Sequence, residues 1–213
     1  ICVSWNQFRT TSGGAMTKSL ILGTILGGLM AFVWSSISWE LIGWHEKTMV
    51  AFHNEDEVSA VIASHAGQDG TYLLPSMPST AGMTPEQKKA TLDAAMQKIQ
   101  AGPIMVAAVR LGGFGSYTRG LIVQLLSLMA AAFLLTWLLQ QTSGLSYARR
   151  VAFLAAVGLA ASVIVDLPNW NWWGFSGAYT AVNLADSMLT WLFAGLVIAK
   201  VAKPANAAQH PTT

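Results

Sequence analysis

Four stretches of this chain are almost free of charge: "SLILGTILGGLMAFVWSSISW" (19–39), "GLIVQLLSLMAAAFLLTWLL" (120–139), "VAFLAAVGLAASVIV" (151–165) and "AYTAVNLADSMLTWLFAGLVIA" (178–199). Three have the roughly 20 residues that a helix needs to cross a bilayer. The third is shorter, but its apolar character continues through "LPNWNWW". Over the 213 residues, 53% are apolar and 10% charged, whereas roughly a quarter of an ordinary soluble domain is charged. Too few polar residues remain to cover four core helices in water. The expected fold is therefore a membrane all-α protein, with four transmembrane helices and a small α/β extracytoplasmic insertion between helices 1 and 2. The first run lacks a small-residue cleavage pattern and continues into Trp39 and Trp44, so it reads as a retained span rather than a signal peptide.

Orientation follows from lysine and arginine in short loops. Arg9 and Lys18 precede the first span, Arg149 and Arg150 lie between the second and third, and Lys200 and Lys203 follow the fourth. All point to one side, which predicts that both termini are cytoplasmic. The expected segments are a cytoplasmic N-terminal segment 1–18, helix 1 at 19–44, an extracytoplasmic domain 45–118, helix 2 at 119–141 and a cytoplasmic loop 142–150. Helix 3 follows at 151–167, a tryptophan-rich loop at 168–177, helix 4 at 178–200 and a cytoplasmic tail at 201–213. Lys47, Lys88, Lys89, Lys98 and Arg110 fall in the long loop, which translocates largely regardless of charge.

This orientation places "NWNWW" at the outer face. Indoles concentrate at the edge of a bilayer because each is apolar with one wet N–H. Trp170, Trp172 and Trp173, with Trp39 and Trp44, read as an interfacial belt rather than a cation-binding box. Pro168 is expected to stop the third helix, since proline lacks a backbone donor. The single cysteine, Cys2, precludes an internal disulfide and is assigned no role.

The long loop carries its own start and stop signals. Asn54 is a plausible N-cap with Glu57 three positions on, and Gly67 a plausible helix end; Val58, Val61 and Ile62 form its apolar face. "GTYLLP" (70–75) and "GPIMVAAVRLGG" (102–113) read as strands. Between them, Thr84 and Gln87 make a capping box with Pro85 at the first helical position, and Leu92, Met96 and Ile99 make a stripe. "PSMPSTAGM" (75–83) has the composition of a flexible turn. The order is helix–strand–helix–strand, a unit too small to be stable alone.

Inside the first span, Gly23, Gly27 and Ala31 at four-residue spacing form a helix-packing face. It suits intramolecular packing or a subunit contact. Polar residues within spans are the best functional pointers. At about 1.5 Å per residue, Asp186 lies roughly 21 Å above Lys200. Asp166, Gln124 and Asn183 fall near the same level, Glu40 is higher still, near the outer surface, and Arg119 and His45 sit at the boundary, where Arg119 is the only guanidinium available to a carboxylate. Three readings compete. In one, Asp166 and Asp186 accept from the tryptophan indoles, Asn183 and backbone N–H groups, and so pin the 166–177 loop. In another, Glu40, His45, Asp166 and Asp186 hold a proton or cation. In the third, the cluster meets a polar group of a partner subunit or lipid.

No other motif carries chemistry. There is no HExxH, paired-cysteine metal motif, G-x-S-x-G elbow or phosphate-cradling glycine loop. None of His45, His53, His65 and His210 lies within an apolar run, which argues against intramembrane haem. "LGGFGSY" (111–117) reads as a flexible join to the second span. Internal repeats and interrupted helices, usual in transporters, are not evident.

Taken together, "FVWSSISWELIGWH" (32–45), "GTYLLP", "LSYARRV" (145–151) and "LPNWNWWGF" (167–175) resemble a group of small uncharacterised bacterial inner-membrane proteins with four spans, from Met16 to about Lys203. The resemblance implies a bacterial source and a four-span layout, and no activity. A natural start is expected at Met16 ("MTKSLILG"). The functional expectation is a non-catalytic accessory or scaffolding subunit of a larger bacterial membrane complex, respiratory or photosynthetic. Its expected partners are other integral membrane subunits and lipid, not nucleic acid. No cofactor or metal is expected, though a bound lipid is compatible with the pattern. The alternative is a small transporter or proton/cation-conducting protein using Asp186 and Asp166.

Overall fold

The computed structural model describes residues 13–202, with side chains from residue 17 onward. Cys2, Arg9, Lys203 and His210, and most of both terminal segments, lie outside the described residues. Four helices are long and apolar enough to cross a membrane, spanning Thr17–Ile42, Tyr117–Gln140, Tyr147–Trp173 and Gly177–Val201. We label the helices α1 (Gly13–Ser36), α2 (Glu55–His65), α3 (Pro85–Ala101), α4 (Tyr117–Gln140), α5 (Tyr147–Trp173) and α6 (Gly177–Val201), and the strands β1 (Gly70–Leu74) and β2 (Met105–Val109). A π-helical turn, Ile37–Ile42, prolongs α1.

The four long helices pack in the order α4–α1–α6–α5, with α4 and α5 barely touching. Close approach is built on small residues. A side chain at Gly23 would run into Thr136 of α4, and a Cβ at Gly27 would lie 2.5 Å from Ile198 of α6. Ala31 on the same face is fully buried, in a core with Ala132, Leu135, Leu139, Leu154, Trp191 and Ile198. The small-residue face of α1 is thus occupied by the chain's own α4 and α6. Gly158 of α5 lies against Trp191 of α6, where Ser187 Oγ–H donates to the Gly158 carbonyl at 2.8 Å.

The third long helix differs from expectation. Pro168 does not end it; α5 continues to Trp173 and stops at Gly174 in the left-handed conformation. Proline removes one i→i−4 bond, here to Ile164, but a helix that stays helical satisfies every other backbone group internally, which an apolar medium demands. The expected 168–177 loop shrinks to residues 174–176, and "NWNWW" is a helix end.

Between α1 and α4 the order helix–strand–helix–strand is observed. Asn54 caps α2 through the Glu57 N–H, and Thr84 and Gln87 close both arms of the capping box on α3. Helix α2 ends at His65, two residues before Gly67. The strands pair antiparallel, Gly70 opposite Val109 and Leu74 opposite Met105, and are shorter than their apolar runs. Residues 75–83 form an irregular connection. The insertion has almost no core, since its only buried apolar residues are Ala66, directly after α2, and Ala95. Met96 and Val61, from the two expected apolar stripes, are about half exposed (49% and 54%).

Candidate functional site

The polar residues of the long helices do not converge on one site. Those marked in the sequence fall in four places besides Asn183, and the most enclosed is the cluster built on His45 and Asp186. It forms where α1 ends. Past the π-turn, Gly43 adopts φ +63°, a left-handed conformation that costs other residues roughly 1–2 kcal/mol. The chain doubles back there, laying Trp44 and His45 over the end of α1. His45 is 1% exposed. Its ring stacks on Trp39 (centroids 4.0 Å apart, planes 3° apart) and meets Trp44 edge-on.

From α6, Asp186 completes the cluster. Its Oδ1 accepts from Trp34 Nε1–H at 2.8 Å, and its Oδ2 lies 3.2 Å from His45 Nε2. Ser38 Oγ accepts from Trp44 Nε1–H at 2.8 Å and also lies 3.2 Å from His45 Nε2. A carboxylate and an indole-bound hydroxyl converging on one ring nitrogen call for a proton on Nε2, donated between the two oxygens. His45 Nδ1 is buried and has no hydrogen-bond partner among the described residues. Unprotonated, it leaves only a lone pair unmatched, whereas an N–H there would be an orphaned buried donor.

This geometry constrains the chemistry. Serine, histidine and aspartate are together, but a nucleophile–base–carboxylate relay needs the carboxylate on one ring nitrogen and the hydroxyl on the other. Here both face Nε2 while Nδ1 is vacant of partners, and Ser38 is fully buried. What the arrangement does is tie the end of α1, the turn after it and the middle of α6 into one polar knot.

The other expected members lie elsewhere. Asp166 accepts from Ser162, one turn earlier on its own helix. Glu40 accepts from Tyr117 Oη–H at 3.1 Å, joining the end of α1 to the start of α4. Asn183 is half-buried on α6 and takes no part in the Asp186 contacts. Arg119 and Gln124 line a separate cavity with Arg110 and Asp69, so Arg119 is not the counter-ion of Asp186. Nor do the "NWNWW" indoles reach the aspartates: Trp170, Trp172 and Trp173 are 52%, 70% and 45% exposed, a belt around the end of α5. Trp172 and Trp173 also close a small apolar cavity of about 210 Å³ against β1, β2 and Ile99.

Trp34 and Ser38 are central to the buried cluster and were not expected there. The signal existed. Residues 23, 27, 31, 34 and 38 follow the four-and-three spacing of one helix face, and extending the glycine face by two turns reaches both. Among the described residues no group of three or more His, Cys, Asp or Glu is placed to hold a metal ion.

Comparison with protein-family models, with curated proteins and with solved structures found no match to this chain.

Proposed function

We propose that this chain is a non-catalytic integral membrane subunit that scaffolds or accompanies a larger complex, in a bacterial inner membrane with both termini cytoplasmic. The observation that carries this reading is the coreless insertion. Some seventy residues fold into two capped helices and a strand pair, yet beyond His45 the only residues they bury are Ala66 and Ala95. A unit this small with so little interior needs a second surface to complete it. Its connections supply the matching feature. Met49, Val50 and Phe52, just past the His45 turn, are 52%, 94% and 60% exposed, and Phe114 before α4 is 67% exposed. Apolar side chains outside the span helices at that density mark a surface made to be covered. The glycine face of α1 is already filled, so the insertion and its flanking turns make the contacts. The polar cluster serves the same end, because it anchors the turn that presents residues 49–52.

A photo-crosslinking amino acid at Phe52 and, separately, at Val50, in the full chain in its native membranes, tests this. The reading expects one protein adduct of the same discrete mass from both positions. Adducts to lipid alone, with purification in mild detergent as a lone monomer, would overturn it.

A further inference from the structure

The insertion meets α4 at a cavity of about 620 Å³, lined by Asp69, Arg110, Arg119, the glycine-rich turn 112–115, Val123 and Gln124. Its wall carries two guanidinium groups against one carboxylate. Among the described residues the ion pairs are His45–Asp186 and Lys89–Asp93, so neither guanidinium is matched by a carboxylate. The one acid on the wall, Asp69, already accepts from the Leu111 N–H at 2.9 Å. Arg119 is the third residue of a 24-residue helix, where the backbone dipole is positive and a cation is the wrong sign. Two exposed arginines lining one cavity beside that helix end leave a net positive wall, and the planar guanidinium fork suits two oxygens of one phosphate.

The position adds a second constraint. Val123 and Gln124 sit in the second turn of α4, within the apolar span, while Arg110 and Asp69 belong to the strand pair and its flank. The cavity therefore runs from a cationic, polar mouth to the side of a membrane-crossing helix. That gradient matches a molecule with a charged head and a hydrocarbon body.

We propose that this cavity binds a phosphate monoester or diester at the membrane surface, with Arg110 and Arg119 gripping the phosphoryl oxygens. The site is independent of the scaffold reading above. Two sources share this chemistry, the headgroup of an anionic phospholipid and a soluble phosphate ester, and one experiment separates them. The full chain is reconstituted in nanodiscs of phosphatidylcholine with increasing phosphatidylglycerol, and lipids retained on gentle release are counted by native mass spectrometry. In parallel, inorganic phosphate and glycerol 3-phosphate are titrated into the detergent-solubilised chain by calorimetry.

Arg110→Gln and Arg119→Gln should each weaken phosphatidylglycerol retention about tenfold, as loss of one charge-assisted contact predicts. Lys98→Gln, the same change of net charge on α3, should leave it unchanged. Retention that depends on both arginines identifies the lipid as the source; saturable glycerol 3-phosphate or phosphate binding with the same dependence identifies the soluble ester. Arg119→Lys retains the charge but not the fork, and should bind with intermediate strength even if Arg119→Gln fails to fold. Equal effects of Lys98→Gln and Arg110→Gln, or binding of neither class, would overturn the proposal.

Discussion

Asp186 and Trp34, 152 residues apart in the chain, are joined by a 2.8 Å hydrogen bond from the indole N–H to the carboxylate. Beside it the same carboxylate faces His45 Nε2 at 3.2 Å. The two contacts use both oxygens, and both lie where water is scarce, so each partner's removal leaves a buried polar group without its match. Asp186→Asn retains one acceptor but turns an amide N–H₂ toward Trp34 or His45, both donors. It should destabilise the protein by about 1–3 kcal/mol. Trp34→Phe should cost a comparable amount, and a double-mutant cycle followed by thermal unfolding in detergent should show the two coupled. Strict additivity would mean that the bond contributes nothing. Flux through proteoliposomes that vanishes in Asp186→Asn while thermal stability is intact would instead favour a conducting role for this aspartate.

The left-handed turn at Gly43 makes the cluster possible. Nothing lies within 4 Å of where its Cβ would be, so replacing it costs backbone strain and no clash. Gly43→Ala should therefore lower stability by about 1 kcal/mol. It should also loosen the stack of Trp39 on His45, read as a red shift of tryptophan fluorescence. Gly177, equally open but with no left-handed φ, is the control, and an equal loss there would refute the strain argument.

Packing between α1 and α6 is tight enough for one methyl group to register. A Cβ at Gly27 would fall 2.5 Å from Ile198, and overpacking of this kind costs about 1–3 kcal/mol. Gly27→Ala should be destabilised in a detergent melt, and adding Ile198→Val, which shortens the offending side chain, should recover part of the loss. Gly27→Ala that melts with the parent would show that the helices adjust freely.

The insertion should not fold when excised. A peptide of residues 46–116 is expected to lack a cooperative unfolding transition by circular dichroism, because only Ala66 and Ala95 would form its interior. A sharp two-state melt would indicate a self-sufficient domain and remove the main support for a covering partner.

Orientation is open to direct labelling. In a Cys2→Ser background, Glu86→Cys and Ser143→Cys place single thiols at exposed positions on α3 and between α4 and α5. With an impermeant maleimide on spheroplasts, Glu86→Cys should label and Ser143→Cys should not. The reverse pattern would invert the proposed topology.

The spans were legible because bilayer thickness imposes a length and a composition that no tertiary contact is needed to explain. The caps at Asn54 and at Thr84 with Gln87 were legible because they are local chemistry, settled within three residues. Pro168 misled because its rule comes from water, where a broken helix exposes its backbone cheaply; in an apolar setting α5 continues to Trp173. The buried cluster was legible only in part. His45 and Asp186 were both marked, yet a level along a helix axis does not tell which residues face each other. The hairpin-like return at Gly43 and the adjacency of α1 to α6 decide that. Arg119, at a fitting level for the aspartates, lines a different cavity for the same reason.

The helix order α4–α1–α6–α5 carries a consequence for biogenesis. The second and third spans are joined by only a few residues, 141–146, but do not pack as a pair, so they cannot settle as a preformed hairpin when they leave the translocation machinery. Nearly all the packing of α5 within the bundle awaits α6, the last of the four long helices to be synthesised. Until it lies between α1 and α5 and brings Asp186 to the Trp34 indole, α1 and α4 are packed as a pair while α5 has almost no partner in the bundle.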